Sequence, residues 1–250
     1  MESHSAIVRA EGVLMTLLLR RRSASRLFVA GLFALLALPA VAAADSARDA
    51  EAVVSAARRS LGRFQADPEM AWFRDHVGSA VAVLIVPKRV RAGLIFGGSG
   101  GVGVLLARDP ATGEWGQPVF YNFGGASIGL QAGGERSEVI LLLQSQAALD
   151  SFLSPKLQLG AEAAVAAGPV GAGAGGSASA DILSFVRSKG LYAGATLDGT
   201  VIQPAADRNA AYYGAAITSA DILVRKIVQN AHADGLRGDL KRTALASPGG

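Results

Sequence analysis

The chain has 250 residues, half of them hydrophobic, with a formal net charge of +4 and no cysteine. That length allows one or two domains with a sizeable core. The 31 glycines, low charge and low aromatic content speak against a coiled coil or an acidic disordered chain. The lack of cysteine excludes disulfides, thiolate metal sites, a cysteine nucleophile and a lipobox.

Arg20, Arg21, Arg22 and Arg26 precede the apolar run Leu27–Leu38, and Pro39 and a string of small residues follow. This order is that of a signal peptide, with A-x-A sites at Ala40–Ala42 and Ala42–Ala44. Residues 1–44 are therefore read as a targeting segment starting at Met1 or Met15. The expected mature N-terminus lies between Ala43 and Asp45, and the expected location is the periplasm or the periplasmic face of a membrane. An uncleaved anchor is the alternative, since Leu27–Ala44 is just long enough to span a bilayer. Residues 1–44 hold five of the 24 Lys and Arg and two of the 20 Asp and Glu, which leaves 19 basic against 18 acidic residues. A mature chain so nearly balanced gives no ground for nucleic-acid binding, and any electrostatic attraction is local.

Ser46–Phe64 reads as an amphipathic helix, with Ala47, Ala50, Val54, Ala57, Leu61 and Phe64 on one face and Arg48, Arg59 and Arg63 on the other, Arg58 at the flank. It either docks on the core or lies on a membrane surface; its alanine-rich stripe favours docking. Asp67-Pro68-Glu69 starts a second helix, expected to run to His76. Ala80–Val86 is an apolar run bounded by Gly78 and Pro87 and reads as a buried strand, which leaves Lys88, Arg89 and Arg91 in the connection after it. Further strands are expected at Gly93–Phe96, Val102–Arg108, Ser127–Ala132, Glu138–Gln144, Ala161–Ala167, Ala180–Arg187 and Leu191–Val201. Asp109–Gly113 reads as a turn, Ser145–Leu153 as a short helix capped by Ser145, and Gly168–Ser179 as a linker or small-residue edge strand. Helices at Ala205–Tyr213 and Ser219–Asn230 close the domain, the second using Ile222, Val224, Ile227 and Val228 as apolar positions; the last twenty residues are expected to fray.

Gly98–Gly103 satisfies G-x-G-x-x-G, but it leads into the strand-like VGVLLAR and not into a helix, so a nucleotide fingerprint is rejected. Only His76 of the three histidines falls in the expected folded region, and no motif supplies it with a serine or acid partner. Asp67, Asp75 and Asp109 read as caps and turn residues. No catalytic constellation, metal-ligand spacing or cofactor motif is assembled. The basic groups Lys88, Arg89 and Arg91, and secondly Arg58, Arg59 and Arg63, are the candidate contacts to anionic phospholipid headgroups.

Six segments carry a family resemblance: Ala92–Arg108 (AGLIFGGSGGVGVLLAR), Ser127–Leu143, Ser145–Leu159 ending FLSPKLQLG, Ala164–Gly171, Ser184–Thr200 (SFVRSKGLYAGATLDGT) and Asp207–Gly214 (DRNAAYYG). In this order, from about Asp67 to Asn230, the chain resembles the SYLF domain family. The resemblance implies a non-catalytic lipid-binding domain; animal members bind phosphoinositides and fungal members also bind actin. An exported chain meets neither ligand, so what carries over is affinity for bacterial phospholipid headgroups.

The sequence thus leads to an α+β fold with a mainly antiparallel, twisted or barrel-like sheet of short strands and helices at both ends. Its divisions are a signal peptide (1–44), an N-terminal helix (45–66), a SYLF-like domain (67–230) and a flexible tail (231–250). The expected role is a non-enzymatic membrane-binding protein of the cell envelope without cofactor. The alternative is an envelope scaffold that binds other proteins.

Overall fold

The structure is a computed structural model that describes residues 44–93, 96–128, 133–167, 180–188, 197 and 199–248. The targeting segment, apart from Ala44, and the expected linker Gly168–Ser179 lie outside the described residues.

Helix α1 covers residues 44–66. Its three-and-four spacing puts Ala47, Ala50, Val54, Ala57, Leu61 and Phe64 on one side; Ala47 is half-buried and the other five are buried to within 1%. Complete burial of Leu61 or Phe64 stabilises by about 1.5–3 kcal/mol each, so α1 is held to the core by its apolar stripe. Asp67 ends it and caps the next turn, its side chain accepting from the Glu69 N–H at 3.1 Å. Pro68 opens a 3-10 turn there, where a missing N–H costs nothing. Helix α2 (Ala71–His76) follows.

The sheet has eight strands: β1 (Ala82–Gly93), β2 (Phe96–Ala107), β3 (Val119–Ile128), β4 (Gly133–Leu143), β5 (Leu157–Gln158), β6 (Val165–Ala167), β7 (Ile182–Ser188) and β8 (Val201–Pro204). Their order is β5-β8-β3-β2-β1-β4-β7-β6. Every neighbouring pair is antiparallel except β6 with β7. The result is a strongly curled half-barrel with helices at both ends.

At the end of the sheet around Ala82–Val86 both faces are buried, and strand alternation sorts the side chains between them, whereas Lys88, Val90, Gly100 and Arg136 at the other end are exposed. Val83 and Ile85 of β1 and Ile140 and Leu142 of β4 pack against α1, α2 and the C-terminal helix. Leu84, Val86, Leu141 and Tyr121 face the other way, towards α3 (Gln146–Ser151), β5 and α5 (Ser219–Leu223). Ser145 caps α3 by accepting from the Ala148 N–H at 3.1 Å. The Asp109–Gly113 turn also forms: the Asp109 carboxylate accepts from the N–H groups of Ala111 and Thr112, and Gly113 takes a φ of 72°.

Two expected strands are redrawn: the glycines expected to connect Gly93–Phe96 with Val102–Arg108 lie inside β2, and of the expected strand Ser127–Ala132 only residues 127–128 are described, as the end of β3. Four further elements differ from the sequence reading. First, β1 does not stop before Pro87. Its register with β2 and β4 shifts between residues 85 and 89, so a bulge takes up the proline, which has no N–H for the ladder, and the strand continues through Lys88, Arg89 and Arg91. Second, Val119–Ile128 is a full strand, with Phe120 buried against the helices and Tyr121 and Phe123 against the opposite core. Third, α5 ends at Leu223, well short of Asn230. Fourth, the expected frayed tail contains α6 (Asp234–Leu245), held by buried Leu236, Leu240 and Ala244. Beyond it, the Ser247 hydroxyl donates to the Asp75 carbonyl at 2.8 Å. Helix α4 (Ala206–Tyr213) ends on Gly214 at φ 71°, the left-handed cap that glycine supplies.

Gly98–Gly103 lies within β2, between antiparallel neighbours on both sides. No helix follows it, so the geometry that brings a pyrophosphate to a helix N-terminus is not built here. Two of these glycines answer a packing demand. A Cβ on Gly101 would stand 2.6 Å from the Lys88 carbonyl oxygen, and one on Gly103 would stand 2.8 Å from Val86 Cγ2 and 2.9 Å from the Ile85 oxygen. Both sit against the bulged stretch of β1, where the strands press together.

Candidate functional site

The six candidate cations do not form one surface. Arg58 pairs with Asp239 of α6, Nε to Oδ2 at 2.6 Å. Arg63 is bound to Glu138 of β4, its Nε donating to Oε1 at 2.9 Å and to Oε2 at 3.1 Å. Arg59 and Lys88 are exposed, Arg91 is half-buried and Arg89 is buried at 7% exposure. A flat patch of three adjacent charges at Lys88–Arg91 is therefore not what β1 presents.

Arg63 belongs to a structural cluster. Fully buried Ser60 donates to Glu138 Oε1 at 2.8 Å, and Arg187 of β7 bridges Glu138 Oε2 (3.3 Å) and Asp67 Oδ2 (3.2 Å). Burial pushes the Glu138 carboxyl up, but the hydrogen bonds from Arg63, Ser60 and Arg187 outweigh it and hold the group below its ordinary value. The cluster ties α1 to β4, β7 and the turn at Asp67.

The phenols with raised values are likewise structural. Burial pushes Tyr121 up to about 12, and its hydroxyl donates to the Phe152 carbonyl at 2.7 Å. Burial also raises Tyr213, which donates to the Pro118 carbonyl at 2.6 Å. His76 Nδ1 lies 2.9 Å from the Trp72 carbonyl. His232 Nε2 lies 3.2 Å from the Ser55 hydroxyl, but among the described residues no acid orients its other nitrogen, so the pair lacks the logic of a triad. Among the described residues no cluster of His, Asp or Glu is arranged for a metal, and no helix is long and apolar enough to cross a membrane.

The segment after α5 is the feature that sequence reasoning misplaced. Thr218 and Asp221 form a reciprocal capping box that opens α5. The helix then stops, and Lys226 takes a left-handed φ of 54°. Val224 and Ile227 are left 61% and 64% exposed, with Arg225 and Lys226 between them. Arg225 pairs with Asp221 at 2.6 Å and Lys226 pairs with Asp109, yet both cations remain more than half exposed. The Lys226 ammonium, with the Ala111 and Thr112 N–H groups, holds the Asp109 carboxyl down at about 2. Beside this segment lies a cleft of about 400 Å³ whose walls include Leu149, Leu153, Leu223, Val224 and Trp115. The Trp115 indole N–H is buried there without an acceptor. The periodicity of Ile222, Val224, Ile227 and Val228 hid this surface, because it reads as one core-facing helix. The signal against that reading was the adjacent pair Arg225-Lys226, which interrupts the apolar positions.

Residues 124–243 match the family described as Ysc84: Las17-binding protein actin regulator. An SH3 domain-containing protein of Schizosaccharomyces pombe is 36% identical over 160 residues, 61% of this chain and 37% of that protein. Protein YSC84 of Saccharomyces cerevisiae is 33% identical over 163 residues, 62% of this chain and 35% of its own length. SH3 domain-containing YSC84-like protein 1 of Homo sapiens is 30% identical over 166 residues, 64% of this chain and 48% of its own length. The chain thus spans less than half the length of these relatives.

Proposed function

The chain belongs to the Ysc84, or SYLF, domain family, and from that membership we propose that it is a non-catalytic binding domain that docks reversibly on anionic phospholipid bilayers of the cell envelope. The observation that carries this reading is the projecting pair Val224 and Ile227, flanking two exposed cations. Apolar side chains left in water beside basic ones suit a bilayer interface, where the former enter the acyl boundary and the latter face anionic headgroups. Arg59 and Lys88, exposed elsewhere, add attraction that salt screens. Arg58, paired with Asp239 but about as exposed as Lys226, adds to it in the same way, and Arg63 contributes less, being held by Glu138.

Replacing Val224 and Ile227 together by serine should weaken flotation with phosphatidylglycerol-containing vesicles about tenfold or more, given about 0.8 kcal/mol per buried methylene. Both side chains are mostly outside the core, so the thermal midpoint should hardly move. Unchanged flotation of a folded variant removes this segment from the function.

The relatives' descriptions favour a second reading, an envelope scaffold whose partner is a protein. The family is described as Las17-binding and actin-regulating, and a domain that docks on proteins needs no bilayer. Scaffolding predicts no dependence of flotation on anionic lipid. Export rests on the order of charges, apolar run and small residues in 1–44. N-terminal sequencing of periplasmic chain should begin between Ala43 and Asp45; intact chain from Met1 or Met15 in the membrane would favour the anchor.

A further inference from the structure

We propose that the face of β1 and β2 around Arg89 is an oxyanion site that takes a phosphate-type group, with the Arg89 guanidinium as its principal donor. Arg89 is only 7% exposed, yet its five N–H donors are almost unused. Nη2 donates to the Ser99 hydroxyl at 3.2 Å, and the buried Nε has no acceptor at all. Among the described residues no carboxylate forms an ion pair with it. A buried charge without a counter-charge is costly to a fold.

The other arginines of the molecule show what a purely structural role looks like. Arg108 is anchored on the Gly78 carbonyl at 2.6 Å and the Gly113 carbonyl at 3.4 Å. Arg187 bridges two carboxylates. Arg89 has one hydroxyl. Its ladder partners are Gly101, which has no side chain, and Ser137, so neither brings a charge.

The surroundings suit an anion. The Ser99 hydroxyl itself donates to the Gly125 carbonyl at 3.4 Å. A Cβ on Gly125 would stand 3.4 Å from Ser99 Oγ and 3.7 Å from Thr200 Oγ1, so the Ser99 hydroxyl that meets the guanidinium has only small residues on its far side. Arg91, two positions along the same strand, adds positive charge, which its ladder partner Glu135 partly offsets; burial first, and Arg91 second, loosen the hold of Arg89 on its proton, while Glu135 acts the other way. A planar fork beside hydroxyls matches the oxygens of a phosphate in paired hydrogen bonds. The site stands apart from the membrane reading. Lys226 is tied to Asp109, which follows the end of β2 that pairs with Ala82, whereas Arg89 lies in the opposite half of β1.

The test is a titration of the full chain, followed by 31P resonance broadening and thermal midpoint, with inorganic phosphate and separately with a short-chain phosphatidylglycerol below its micelle concentration. Chloride at matched ionic strength is the control. Saturable binding of either probe is expected, weakened about tenfold in Arg89→Met, the loss of a charge-assisted pair of hydrogen bonds. Binding of phosphate identifies a soluble anion; binding of the lipid alone identifies a headgroup. If neither probe exceeds chloride, or if Arg89→Met binds as the unaltered chain does, the site is refuted. Should Arg89→Met not fold, Ser99→Val keeps the guanidinium, loses the hydroxyl and should still weaken the probe several-fold; unaltered binding there refutes the site as drawn. Val224 and Ile227 replaced together by serine should leave the titration of either probe unchanged, whereas Arg89→Met should leave vesicle flotation unchanged if the soluble anion is the ligand and lower it if the headgroup is, so the two proposals fail separately.

Discussion

Replacing Gly101 by alanine should lower stability by about 3 kcal/mol, the upper end of what overpacking costs. The added methyl would meet the Lys88 carbonyl oxygen at 2.6 Å, Val86 Cγ1 at 3.1 Å and the Arg89 Cα at 3.3 Å. Two of these three are backbone atoms, so relief requires moving β1 and not a rotamer. The bulge cannot move freely, because β1 is paired with β2 on one side and β4 on the other. Gly100, one residue away and on the opposite face, is the control: a Cβ there meets nothing within 4 Å. Gly100→Ala should be neutral or stabilise by about 0.5 kcal/mol, through reduced freedom of the unfolded chain. Urea unfolding followed by circular dichroism measures both. Equal tolerance of the two alanines would show that the glycines do not serve the bulge.

The glycine-rich run reads from sequence as a connection between strands at Gly93–Phe96 and Val102–Arg108, yet it lies inside β2, and this packing gives the reason. The apolar residues after Gly103 were enough to reject a nucleotide loop. The need for glycine comes from Pro87 on a different strand, and nothing local to Gly101 announces it. The same proline misled the reading of β1, since a proline after an apolar run ordinarily closes a strand. In β3 the alternation of Phe120, Tyr121 and Phe123 between two buried cores gives those residues no polar face to count. Helix α6 was legible but overlooked: Leu236, Leu240 and Ala244 recur every four residues, and Gly235 and Gly238 were given too much weight as breakers. Caps fared best, because Asp67 and Ser145 act on backbone two or three residues away. The candidate cations fared worst. Whether an arginine is free, paired or buried depends on partners such as Asp239 and Glu138, which lie far along the chain from Arg58 and Arg63.

Glu138 shows how much such a distant partner matters, and its removal is expected to be the second large effect. Glu138→Ala should destabilise the chain by about 2–3 kcal/mol, less than a fully buried ion pair because Arg63 is 43% exposed on its side chain and water can replace part of the contact. The loss falls mainly on buried Ser60, which forfeits its acceptor, and on Arg187, which keeps Asp67 but loses its second carboxylate. The pH dependence identifies the cause. The folded chain holds the Glu138 carboxyl below its ordinary 4.5, so the unfolded chain binds that proton more readily. The contribution is therefore complete above the ordinary glutamate range and drains away as pH falls through the lower, folded value. The stability difference between the natural chain and Glu138→Ala should accordingly be constant from neutral pH to about 5 and should shrink on further acidification. Asp109 and Asp221, also held low by their own partners, remain in both proteins and leave a common acid transition. A difference that stayed constant down to strong acid would mean that Glu138 acts through packing and not through its charge, and the link from α1 to β4 and β7 would then have to be apolar.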